Sequence, residues 1–91
     1  MSSKEKIEEK LLVETKEQHL NEIVLYNDDV NTFDHVINTL MRVCSHTLVQ
    51  AEQCAYLVHH KGKCTVKTGV YRDLEPLCSK LLDAGLSAEI H

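Results

Sequence analysis

Residues 22–29 read Glu22-Ile23-Val24-Leu25-Tyr26-Asn27-Asp28-Asp29. The first five make a short run rich in branched and aromatic side chains, which reads as a buried strand. The next three end it, because short polar side chains bond to nearby backbone and favour a turn over a strand. The rest of the chain is interpreted around this strand and its turn.

Three helices follow from apolar spacing. Phe33, Val36, Ile37, Leu40, Met41 and Cys44 share one helical face, with Asn31 or Thr32 as the cap. Thr47 and Gln50 form a capping box for a second helix whose buried face carries Leu48, Ala51, Ala55 and Val58, with Gly62 just past its end. Leu74, Leu77, Cys78, Leu81 and Leu82 repeat the spacing in a third, in which Pro76 belongs to the first turn and Gly85 closes the end. Two strands complete the pattern. Cys64, Val66 and Val70 alternate with Lys63, Thr65, Lys67 and Gly69, and Leu86, Ala88 and Ile90 alternate with Ser87, Glu89 and His91. The predicted fold is therefore α+β, a βααβαβ sandwich in which a three-stranded antiparallel sheet packs against three helices. Residues 1–20, polar and without a sustained apolar stripe, are expected to form a flexible extension ahead of one domain at 21–91.

Composition removes several classes of function. A net charge of −4 and only four aromatic residues, Tyr26, Phe33, Tyr56 and Tyr71, argue against nucleic-acid binding. The apolar runs are too short to span a bilayer. Cys44, Cys54, Cys64 and Cys78 form no C-x-x-C pair and have no histidines at zinc spacing, so no metal or other cofactor is expected. Free thiols suit a reducing cytoplasm. No nucleophile elbow or phosphate loop is present, so no enzymatic activity is expected.

Two polar features remain, the turn Asn27-Asp28-Asp29 and the pair His59-His60 in the last turn of the second helix. By spacing alone the triplet is a turn with a cap, and a histidine at a helix C-terminus is favoured by the dipole. Brought together over Ala55 and Val58, they would instead form a pocket with an acceptor rim and an aliphatic floor. Such a pocket suits a protonated α-amine attached to an apolar side chain, because an ammonium carries three donors and no acceptor. The Asn27 oxygen, the Asp28 carboxylate and an unprotonated His59 nitrogen would receive them.

The stretch from Val24 to Asp29, the helix with Val36, Ile37 and Leu40, then Ala51 through Val58-His59 and Lys61-Gly62-Lys63 together resemble the ClpS family of Clp protease adaptors over residues 22–91. The resemblance implies a non-enzymatic adaptor that captures proteins with bulky hydrophobic N-terminal residues. It would deliver them to a Clp-type AAA+ unfoldase through that partner's N-terminal domain. It assigns Asn27, Asp28 and His59 to the substrate's α-amine, and Leu25 and Val58 to the side-chain pocket, with Asn31 near its rim. Phe33 and Ala55 stand where many members carry methionine, which reshapes that pocket. The alternative implied by those two positions is a ClpS-like module that docks an unfoldase or another partner without reading N-termini.

Overall fold

The apolar run at the centre of the opening stretch becomes the central strand. A computed structural model describes residues 20–91, so apart from Leu20 the expected extension lies outside the described residues. Strand β1 (Asn21–Tyr26) lies between β2 (Lys63–Gly69) and β3 (Ser87–Ile90) and is antiparallel to both. Its central place explains why Ile23, Val24 and Leu25 are all buried. Ile23 and Leu25 enter the main core, whereas Val24 faces the other side of the sheet, where its register partners are Thr65 and Glu89.

Helices α1 (Phe33–Cys44), α2 (Leu48–Lys61) and α3 (Tyr71–Asp83) complete the predicted order. They join Ile23, Leu25, Val66, Leu86 and Ala88 of the sheet side in a single hydrophobic cluster. Thr32 caps α1 by accepting from the His35 N–H, and Thr47 with Gln50 forms the capping box of α2. After α3, Gly85 adopts φ 88°. Its N–H donates to Leu82 O at 2.9 Å and the Leu86 N–H to Leu81 O at 3.1 Å. That is a Schellman closure, which turns the chain sharply into β3.

Several expected burials shift. The buried stripe of α1 is Val36, Thr39, Leu40, Val43 and Cys44, while Phe33 and Met41 are exposed. The apolar arc of this helix is wider than the surface that covers it, so helical spacing fits two rotations and packing selects one. Leu48 and Leu82, at helix ends, are also exposed. In β2 the alternation breaks at Val66, because the register partners change from Ile23↔Lys67 to Val24↔Thr65 and leave one extra residue in that strand. The bulge is pinned from the α1–α2 corner. His46 Nε2 donates to Val66 O at 2.7 Å and Lys67 Nζ donates to Cys44 O at 3.3 Å. Beyond the bulge Val70 is no longer a strand residue but the cap of α3.

Pro76 is the clearest correction. Helix α3 begins at Tyr71, so Pro76 lies past the first turn and supplies no N–H to the Arg72 carbonyl four residues before it. The helix tolerates it because Arg72, Glu75 and Pro76 are all exposed, so water can reach the freed carbonyl, while Leu74, Cys78 and Leu81 hold the opposite face in the core. An interior proline costs ~3 kcal/mol, partly offset by its stiffening of the unfolded chain. Pro76→Ala is therefore expected to stabilise the domain by about 1–2 kcal/mol, raising the thermal midpoint by about 5–10 °C. Thermal unfolding followed by circular dichroism checks this, and an unchanged midpoint would refute it.

Candidate functional site

The turn after β1 is seated by long-range bonds. The Asn27 N–H donates to Gly62 O at 3.0 Å, and the Gly62 N–H donates to Val58 O at 3.0 Å. Gly62 stands at φ 90°, a conformation that glycine adopts without strain. This pair of bonds brings the N-D-D turn against the end of α2, where His59 projects.

Asp28 organises the turn itself. Its Oδ1 accepts from the backbone N–H groups of Val30 (3.0 Å) and Asn31 (2.9 Å), while its Oδ2 accepts from Asn31 Nδ2 (2.8 Å) and Ser87 Oγ (3.4 Å). Burial pushes this carboxyl up, but the bonds from Asn31, Val30 and Ser87 outweigh it and hold the group below its ordinary value. Asn31 extends the lattice, because its Nδ2 also donates to Gly85 O at 2.8 Å. Close by, His35 Nε2 donates to Ala84 O at 2.8 Å. The end of α3 and the start of β3 thus brace the turn.

A cavity of about 330 Å³ lies between the turn and the facing ends of α1 and α2. Its polar lining comes from Asn27, Asp28, Asp29, Asn31, Thr32 and His59, and its apolar lining from Phe33, Val36, Ala55 and Val58. Val36, Ala55 and Val58 are buried and make the floor, whereas Asn27, Asp29 and His59 are exposed at the rim. The size is that of a small-ligand site, and the lining divides into a polar part of six residues and a smaller apolar part of four.

The structure brings together seven of the eight residues singled out from sequence: Asn27, Asp28, Asn31, Phe33, Ala55, Val58 and His59 all line this cavity. Leu25 does not. It is 1% exposed and packs in the core, with Cys64 and Ala88 as its register partners. Leu25 sits two residues before the turn, and strand alternation sends its side chain inward to the helices.

Three lining residues were not singled out from sequence as site residues, Thr32, Val36 and Asp29, and of these Asp29 bears most on the chemistry. It lines the cavity, is exposed, and receives no hydrogen bond or ion pair from a described residue. The four lone-pair positions of Asp28 are occupied, so Asp29 is the carboxylate with acceptor capacity left. One local signal was available. An aspartate followed at two and three residues by free N–H groups tends to bond them, which leaves the second acid of an N-D-D triplet free.

The four cysteines are free thiols. Cys44 and Cys78 are buried, and burial pushes both thiols up. Burial first, then a hydrogen bond with Cys64, pushes Cys54 up to about 12. Such thiols are poor nucleophiles at neutral pH. Among the described residues there is no group of three or more side chains able to hold a metal ion, and no helix long and apolar enough to cross a membrane.

Comparison with known proteins agrees with this architecture. Residues 16–89 match the family described as ATP-dependent Clp protease adaptor protein ClpS. The ClpS adapter protein of Acetivibrio thermocellus is 35% identical over 71 residues, covering 78% of this chain and 70% of that protein. The ClpS of Thermosynechococcus vestitus is 35% identical over 66 residues, with 71% and 70% covered. That of Campylobacter jejuni is 39% identical over 46 residues, a match that takes in 50% of this chain and 48% of the relative. Among solved structures, Agrobacterium tumefaciens ClpS2 bound to L-phenylalaninamide superposes with a TM-score of 0.78. At 19% identity it covers 81% of this chain and 96% of its own, and shows that the fold is shared. The chain therefore belongs to the ClpS family of ATP-dependent Clp protease adaptors, which are adaptor proteins and not enzymes.

Proposed function

We propose that this chain reads the first residue of other proteins, holding a free α-amine at the rim of the cavity and a bulky apolar side chain on its floor. It then passes the captured protein to a Clp AAA+ unfoldase through that partner's N-terminal domain. The observation that carries this reading is the division of the cavity between unspent acceptors and a buried aliphatic floor. A protonated amine presents three donors, and Asn27 Oδ1, the Asp29 carboxylate and a ring nitrogen of His59 are three acceptors to meet them. Asp28 adds negative charge but gives its lone pairs to the turn. Burying a Leu- or Phe-sized side chain against Val36, Ala55 and Val58 adds roughly 1.5–3 kcal/mol.

L-phenylalaninamide, the ligand of the Agrobacterium relative, has both features, a free α-amine and a benzyl side chain. A cytoplasmic setting suits the free thiols. A fluorescence titration tests the reading with peptides beginning with Leu, Phe, Tyr or Trp and their N-acetylated twins. Acetylation removes the charge and two donors. Because hydrogen bonds to charged groups contribute about 1.5–3 kcal/mol each, binding is expected to fall by more than about a hundredfold. Equal binding of free and acetylated peptides would overturn it. Retained unfoldase binding would then point to a module that docks its partner without reading N-termini.

A further inference from the structure

No polar contact among the described residues fixes the direction of His59. One ring nitrogen, Nε2, of each of His35, His46 and His91 meets an oxygen, from Ala84, Val66 and Tyr26 at 2.8, 2.7 and 2.6 Å. Neither ring nitrogen of His59 has a hydrogen-bond partner among the described residues. An imidazole accepts from an ammonium only when its unprotonated nitrogen faces it, and rotation of the ring about its last torsion is broad and nearly two-fold. Packing must therefore choose the orientation.

Four rings pack in series, beginning with Phe33 and His59 in the cavity lining and continuing beyond it to His60 and Tyr56. Phe33 of α1 lies 5.2 Å from His59 between centroids, at 59°. His60 stands edge-on to His59 at 4.9 Å and 87°. Tyr56, one helical turn before His60, lies on it at 4.1 Å and 42°. Neighbouring helical residues diverge, so contact between His59 and His60 requires one ring to be turned toward the other. Tyr56 supplies the surface that can hold it there.

We infer that His60 and Tyr56 are positioning residues for the amine site: Tyr56 fixes the ring of His60, and His60 together with Phe33 fixes the imidazole of His59. The inference rests on the reading of the cavity given above. A purely structural role accounts poorly for this pair. His60 is exposed and Tyr56 is 57% exposed, so neither ring contributes to the hydrophobic cluster.

The test uses the full chain, with Tyr56→Ala, His60→Ala, the double variant and His60→Phe. The probe is a fluorescent peptide beginning with Phe, alongside its N-acetylated twin. His60→Ala and Tyr56→Ala are expected to weaken the free peptide by about three- to tenfold, the fold-change of one aromatic contact, with the thermal midpoint unchanged. The double variant should be no worse than either single one, and His60→Phe should restore binding because it restores the ring. The nitrogen and carbon resonances of the His59 ring, followed by NMR in the unliganded protein, should move in His60→Ala and return in His60→Phe. Wild-type affinity in His60→Ala, or a His60→Phe variant as weak as His60→Ala, would overturn the inference. If wild type itself binds free and acetylated peptides equally, the amine reading fails. The His59 resonances then decide the positioning role alone, and an unshifted His59 in His60→Ala rejects it.

Discussion

Asp29→Ala is expected to weaken binding of a Phe-initiated peptide by about ten- to a hundredfold while leaving the thermal midpoint in place, the loss of one charge-assisted hydrogen bond. Asp28→Ala should behave differently, because its carboxylate is committed to Val30, Asn31 and Ser87. Removing it strands donors in the turn, a loss comparable to that of a helix cap, about 0.5–2 kcal/mol of stability. Peptide binding would fall with it, since the turn that carries Asn27 and Asp29 loses its brace. Titration calorimetry and thermal unfolding of both variants separate the two roles. If Asp29→Ala binds like wild type, the free carboxylate is not an amine acceptor.

The same assignment makes a pH prediction. The Asp28 carboxyl is held below its ordinary value in the folded protein, so it binds its proton less readily there than in the unfolded chain. Its contribution is therefore complete above the unfolded value, about 3.9, and is lost as pH falls below that through the folded value. The stability difference between wild type and Asp28→Asn should be constant near neutrality and shrink below about pH 4. A difference that grew in acid would contradict the bonding described for Asp28.

Leu25→Ala is expected to destabilise the domain by about 2–5 kcal/mol, lowering the midpoint by about 10–25 °C. Leu25 is 1% exposed in the central strand, among core residues from the sheet and the helices. For a domain this small, that loss is a large share of a total that runs to about 0.05–0.15 kcal/mol per residue. The ranking of N-terminal residues should stay the same at temperatures where the variant remains folded, because Leu25 does not line the cavity. A changed ranking with a small stability loss, read from a peptide array and a thermal melt, would return Leu25 to the pocket.

The amino-acid sequence by itself determined the order of elements, because each carried a local signal. The branched run of β1, the capping box at Thr47 and the glycines at 62 and 85 all act within a few residues of themselves. It also marked Asn27, Asp28, Asn31, Phe33, Ala55, Val58 and His59 as site residues, all of which line the cavity, through the resemblance and the helical spacing that puts Ala55 and His59 one turn apart.

Only the tertiary structure decided which of two overlapping faces α1 buries, because both have helical spacing and only the covering surface distinguishes them. It alone allowed Pro76 inside α3, where three core side chains outweigh one missing bond. In the turn it decided which aspartate keeps free lone pairs. Ser87 of β3 and Asn31, itself anchored on Gly85, fill the oxygens of Asp28. The N–H groups of Val30 and Asn31 are a local signal for one oxygen of Asp28. Ser87 and Gly85, however, lie more than fifty residues away in sequence, so only the fold fills the other oxygen and completes the assignment of Asp29 as the acid left open to the cavity.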